Sequence, residues 1–240
     1  MVLPWILIFG ITASFLVWER VFPGRELPES PTWYFRTALL NSCQIAIVIL
    51  SGVLWSRWLP ARSLFHFPHP RLPVLEGLMG WFLGTFFFYW WHRARHDSNF
   101  LWRVCHQIHH SPGRIELLTA FYKHPIEIAA DSALTSAILY LILGTSVEAA
   151  VWYNVFAAFG EYFYHSNIRT PRWVGFFLQR PEHHSIHHQL DLHKFNYGDI
   201  TLWDRLFGTF RDAEDFAQNA VFQTTTREIS AGMLLFRDSY

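Results

Sequence analysis

The sequence predicts an all-α integral membrane protein, with about four to five transmembrane helices and a histidine-rich helical cap facing the cytoplasm. Three observations lead there. Hydrophobic residues make up 51% of the 240 positions and charged residues only 16%, the balance of a chain whose solvent is largely lipid. The apolar residues gather into five runs close to the length that a bilayer demands. Ten of the 14 histidines fall in two polar stretches, HRARHDSNFLWRVCHQIHH beginning at His92 and RPEHHSIHHQLDLH beginning at Arg180.

The first run, Val2 to Trp18, is uncharged and lacks the basic start and small-residue cleavage site of a signal peptide, so it reads as a retained first helix. Ala38 to Trp55 follows a loop with Pro and Gly and is long enough for a hydrocarbon layer of about 30 Å. The prolines of LPARSLFHFPHPRLP remove backbone donors and clash with any preceding turn, which makes that segment a connection. Val74 to Trp91 carries one charge, Glu76, and ends in Tyr89, Trp90 and Trp91, side chains suited to a membrane interface. Ile126 to Leu143 and Val147 to Tyr164 are separated only by GTS and form a helical hairpin. Segments 92–123 and 165–240 hold 13 of the 19 basic residues and the hairpin turn holds none. By the positive-inside rule, both histidine regions face the cytoplasm.

A formal net charge of zero argues against a nucleic-acid partner. The two cysteines, Cys43 in an apolar run and Cys105 beside His106, form neither a disulfide framework nor a CxxC zinc site, and Cys105 reads as an inert thiol.

On a helix, positions i, i+3 and i+4 share a face. His92 and His96 have that spacing, as do His106, His109 and His110, and HxxHH recurs at His184, His187 and His188. Each set is expected to present its nitrogens in one direction. His66 and His69 also read HxxH, but Pro68 breaks the helix between them, and both are taken as ordinary surface or core residues. Eight patterned imidazoles packed together would repel when protonated and lack partners when dry. A metal resolves both difficulties, since neutral imidazole is a good ligand for Fe, Zn, Cu or Ni, and eight nitrogens imply two ions. No ExxH, HExxH or GxSxG occurs, so the site is rich in imidazole and poor in carboxylate.

The ordered motifs HxxxH, HxxHH and HxxHH, with FYWWHRARH, LWRVCHQIHHSP, KHPIE, YHSN and NYGDITLWDRLFGTF, resemble the fatty acid hydroxylase or sterol desaturase superfamily of integral-membrane di-iron enzymes. The resemblance runs from about Gly77 to Arg211. It implies hydroxylation or desaturation of a lipid C–H bond with O2 and two electrons from a separate redox-partner protein. It carries metal-ligand roles onto His92, His96, His106, His109, His110, His184, His187 and His188, and adds His165 of YHSN as a ninth. Some members carry a further histidine where this chain has Glu161, which leaves that carboxylate as a metal ligand, a brace or a lone acid. His124 of KHPIE is a ligand or an outer donor.

Ligating imidazoles need acceptors for their second N–H, and Glu127, Asp199 and Asp204 are the candidates, with His183 and His193 in reserve. The alternative for Asp204 is a helix cap or an ion pair with Arg205 or Arg211. Trp203, Leu206 and Phe207 are expected to dock the tail against the membrane face. The expected organisation is an N-terminal transmembrane pair and loop over 1–73, a di-iron catalytic domain over 74–211 and a cytoplasmic tail over 212–240. The cofactor is two Fe ions, with zinc an alternative occupant after purification, in a bacterial inner membrane or endoplasmic reticulum. The rival functions are a zinc-dependent membrane hydrolase and a non-catalytic metal-binding membrane protein.

Overall fold

A computed structural model describes residues 2–66, 72–189, 192, 194–217 and 231–237. The protein is built from helices, and among the described residues the one β feature is an isolated antiparallel bridge between Leu178 and Ile200. The long helices are α1 (Val2–Val21), α2 (Trp33–Trp55), α3 (Pro73–Asp97), α6 (Pro125–Ser136), which continues as a π-helix over Ala137–Ile142, and α7 (Val147–His165). The short helices are α4 (Asn99–Leu101), α5 (Gln107–His110), α8 (Pro181–His187), α9 (Thr201–Leu206) and α10 (Ala231–Leu234).

Among the described residues, three helices are long and apolar enough to cross a membrane: Val2–Val21, Trp33–Trp55 and Pro125–Ile142. Of their apolar windows only 17%, 11% and 39% is buried in the protein, so most of that surface is left for lipid. Phe9 and Leu50, each 68% exposed, belong to it. The other two sequence-derived runs form α3 and α7, whose Gly, Trp, Tyr and Glu residues dilute their hydropathy and leave them outside this set.

α3 packs along α7 at close range, because its glycines remove the side chains that would hold the helices apart. A Cβ at Gly77 would stand 2.7 Å from Ala149 O and from Trp152 Cβ. Gly77→Val is therefore expected to destabilise the bundle by about 1–3 kcal/mol through overpacking. Thermal unfolding in detergent checks this, and an unchanged midpoint would contradict the packing argument.

α6 starts where it does because Pro125 suits the first helical position and His124 caps it, Nδ1 accepting from Ile126 N at 3.1 Å. A buried polar knot ties α1 and α2 to the histidine end. Glu19 Oε2 accepts from Leu117 N and Asn167 N at 3.0 and 3.1 Å, the latter two residues beyond His165. Glu116, fully buried, accepts from Arg20, Arg114 and the Trp33 indole.

Candidate metal centre

α3 delivers His92 and His96 one turn apart on its last two turns. The next segment has π geometry over Trp102–His106 before returning to α5, so His106 sits at the junction of two windings, and such π turns recur at functional sites. His165 ends α7, and α8 presents His184 and His187 with His188 at its C-terminal boundary.

These nine side chains converge into two groups. His92, His96, His106, His110 and His187 form one, and His109, His165, His184 and His188 form the other; within each, one ligand atom per residue lies within 4.8 Å of the rest. Each group could hold a metal ion. Neither HxxHH motif serves one group alone, contrary to the expectation of one direction per motif. His106 and His110 join the first while His109 joins the second, and His187 joins the first while His184 and His188 join the second. The reason is helical: adjacent residues are about 100° apart, so neighbouring histidines aim at neighbouring points. The groups touch, with the His110 and His188 rings stacked at 4.2 Å.

Nε2 of His92 lies 3.0 Å from Nε2 of His106, which lies 3.2 Å from Nε2 of His110. In the second group, Nε2 of His165 lies 3.2 Å from His109 and 3.1 Å from His184, whose Nε2 is 3.1 Å from that of His188. Nitrogens held about 2.1 Å from a common ion stand ~3.0 Å apart at right angles and ~3.4 Å apart at the tetrahedral angle.

The tautomers show that a cation fits. Nδ1 of His92 bonds to Tyr197 O at 2.8 Å, His106 to Glu127 Oε1 at 2.9 Å, His165 to Glu161 O at 2.9 Å and His187 to Phe195 O at 2.9 Å. Each partner oxygen accepts, so each Nδ1 carries the proton and each neutral ring turns a bare Nε2 lone pair inward. His92 and His106 then face each other lone pair to lone pair at 3.0 Å, which is repulsive unless a positive ion takes both. Nδ1 of His109 and of His184 is buried without a hydrogen-bond partner among the described residues.

The backbone is shaped to this end. Phe195 and Asn196 adopt left-handed φ of 65° and 51°, which no glycine relieves, in the turn that aims the Phe195 carbonyl at His187. Asp204 holds the same turn from below, accepting from Tyr197 N, Gly198 N and the Thr209 hydroxyl at 2.7–2.9 Å. It thus acts on His92 through Tyr197, while Arg205 lies over Phe210 and Arg211 over Phe195. Glu127 touches an imidazole directly. Asp199 does not: it receives the Tyr164 hydroxyl at 3.3 Å. Glu161 lies in neither group; its Oε1 meets Lys123 Nζ at 3.3 Å and its Oε2 stands 3.6 Å from His165 Nδ1. His124 is also outside both groups, as the cap of α6, and His183 bonds to Asp212 at 2.9 Å. His193 lies outside the described residues. Cys105 joins neither group, and burial with the Glu127 charge raises its thiol to about 11, in keeping with an inert side chain.

Sequence reasoning missed Arg95, Lys123 and Asp131. Arg95 pairs with Glu127, Lys123 Nζ lies 3.4 Å from Asp131, and the Trp91 indole donates to Asp131 at 2.7 Å. Arg95 could have been found as the basic residue three positions after His92, on the face of α3 that carries it. A cavity of about 20 Å3, lined by His109, His165, Lys123, Glu161, Tyr164 and Asp199 among others, has room for water and none for a lipid chain. Burial pulls the Lys123 ammonium down, but Glu161 and Asp131 outweigh it and hold the group above its ordinary value. Burial and the Glu161 charge raise Asp199 to about 7.

Burial, with the charges of neighbouring groups, holds His106, His109, His110 and His184 well below the ordinary 6.5. They are neutral, as metal ligation requires. The unfolded chain takes up protons at these positions below about pH 6.5 while the fold does not, so the metal-free protein is expected to lose stability as pH falls through that value. Thermal melts of chelator-treated protein between pH 8 and 5.5 check this; a midpoint that rises toward acid would contradict it.

Residues 77–209 match the fatty acid hydroxylase family. Among curated relatives, the chain is 30% identical over 125 residues to the very-long-chain aldehyde decarbonylase GL1-9 of Oryza sativa, covering 50% of this chain and 48% of that one. It is 32% identical over 160 residues to the ornithine lipid hydroxylase OlsE of Rhizobium tropici (64% and 47%) and 34% identical over 137 residues to the alkylglycerol monooxygenase of Homo sapiens (54% and 29%). The chain spans about half or less of the length of these relatives. No solved structure matches it.

Proposed function

The chain belongs to the fatty acid hydroxylase family, and on that footing we propose that it is a membrane-bound oxygenase that oxidises a lipid C–H bond with O2 and electrons from a separate redox partner. The observation that carries this is the pair of adjoining histidine groups with inward-facing Nε2 lone pairs at the end of an apolar bundle. The proposed occupants are two irons, one held by His92, His96, His106, His110 and His187 and the other by His109, His165, His184 and His188. When bound, iron supplies the strong oxidant that an unactivated C–H bond requires. In the hydroxylase form one oxygen atom enters the C–H bond, and the other leaves as water with two protons and the two donated electrons.

The chain's own residues orient, shield and supply protons. Tyr197, Phe195, Glu127 and the Glu161 carbonyl fix the rings by taking their Nδ1 protons. Asp199, poised near neutrality, can take or give a carboxyl proton at the cavity wall, where Lys123 also pairs with Glu161. Since the cavity admits water but no chain, the lipid is proposed to approach from the membrane between helices, its headgroup at the histidine end. That end is proposed to face the cytoplasm, from the distribution of basic residues. The relatives' names mention alkylglycerols, ornithine lipids and very-long-chain aldehydes, which supports a lipid as the substrate class.

The test is reconstitution in lipid nanodiscs with product mass measured. Turnover is expected only when iron, O2 and reductant are present together. Activity that persists anaerobically with zinc would replace this reading with a hydrolase, and iron binding without any lipid product across donors and lipid classes would replace it with a metal-binding protein. The product mass also separates hydroxylation from desaturation.

A further inference from the structure

We propose that the two joined segments 173–178 and 200–207 dip beside α3 into the acyl region of the bilayer, with Trp173, Phe176, Phe177, Leu202 and Leu206 as lipid contacts. The proposal rests on the membrane reading of α1, α2 and α6. These five side chains are 46–69% exposed, although they belong to segments joined into one unit. Leu178 bridges Ile200, Thr201 N donates to Phe177 O at 3.1 Å, Gln179 N donates to Asp199 O at 3.0 Å and Arg205 donates to Gly175 O at 3.1 Å. Such a cluster is a liability in water.

The depth of the unit can be read from α3. Trp203 Nε1 donates to Thr85 Oγ1 at 2.8 Å, and its ring packs on Phe86 and Phe82 at 5.1 and 5.9 Å. Thr85 and Phe82 precede His92 by seven and ten residues, which at 1.5 Å per residue is about 10 and 15 Å along the helix from the histidine end. That level lies inside the membrane part of the bundle. A Cβ at nearby Gly80 would stand 2.6 Å from Leu139 Cδ2, and Leu139 belongs to the span Pro125–Ile142.

Two further features agree. Irregular backbone survives in hydrocarbon only if its polar groups are satisfied internally, and the bonds between the two segments, with the Thr201 hydroxyl donating to Phe176 O, supply part of that. The unit is also flanked by charge on its polar side: Arg169 and Arg172, about 60% exposed and just ahead of Trp173, pair with Asp215, Asp212 and Glu214 of the polar tail.

The test uses the full chain with Cys43→Ala and Cys105→Ala, and a single cysteine carrying an environment-sensitive fluorophore at Phe177→Cys or Leu206→Cys, in phosphatidylcholine nanodiscs. Leu50→Cys on α2 serves as the membrane control and Glu214→Cys as the aqueous control. Lipids brominated on the acyl chain are expected to remove most of the emission at positions 177 and 206, as at 50, while aqueous iodide removes little. Strong quenching by iodide, as at 214, would overturn the proposal by showing a solvent-facing surface. Quenching by neither would overturn it by showing a surface covered by a second copy or another protein. Loss of brominated-lipid quenching at position 50 as well would overturn the membrane reading itself.

Discussion

His187→Ala is expected to abolish lipid oxidation, and His66→Ala to leave it unchanged. His187 is fully buried in the first histidine group, and its ring also lies 5.0 Å from that of His184 in the second. Its Nδ1 donates to the carbonyl of Phe195, a residue held at positive φ, so truncation removes a nitrogen from the centre and leaves that carbonyl without its donor. Changes to groups behind a ligand cost about 10–100-fold in metal affinity or activity, and loss of a nitrogen that faces the metal should cost more. His66 is exposed, its Nε2 lies 3.1 Å from Ser63 Oγ, and it belongs to neither histidine group. Product formation and metal content measured side by side check both variants. Full activity in the His187 variant would remove this ring from the centre.

Glu127→Ala is expected to lower stability and metal affinity together. Its buried carboxylate has two partners, accepting from His106 Nδ1 and pairing with the buried Arg95. Without it, the carboxylate left to Arg95 among the described residues is Asp131 at 3.9 Å, and breaking such a buried pair costs about 3–5 kcal/mol. His106 meanwhile loses the acceptor that fixes its tautomer, with a fall of about 10–100-fold in metal affinity. Glu127→Gln separates the two effects, since the amide oxygen still accepts from His106 while the charge opposite Arg95 is gone. The glutamine variant is expected to bind metal more tightly than the alanine variant while sharing its loss of stability. Metal titration and thermal melts read these quantities independently, and equal metal affinity in all three proteins would contradict the role given to Glu127.

The histidines were the legible part of this sequence, because helical spacing is a local property and three such clusters in one chain seldom arise unless their nitrogens serve a common ligand. Their division between two groups was not legible. It depends on the 100° step between His109 and His110, and between His187 and His188, and on how helices far apart in sequence meet. The partners of the rings were hidden for a related reason: three of the four Nδ1 acceptors are backbone carbonyls, which any residue supplies. Asp204 was visible as a polar support, yet its action through the Tyr197–Gly198 turn needed coordinates. Two acidic residues belong to no motif, so spacing gives them no role. Glu19 at the end of α1 and Asp131 within α6 are buried partners that brace the polar end of the bundle. His124 shows the converse, a histidine beside a motif proline whose ring nitrogen caps a helix.

The central claim, that the nine converging histidines form two metal sites, is tested most directly by counting ions. Full-length protein purified gently in detergent and loaded anaerobically with ferrous iron should retain two ions per chain by elemental analysis after removal of free metal. One ion or fewer per chain, in protein whose thermal melt shows it folded, would contradict the account.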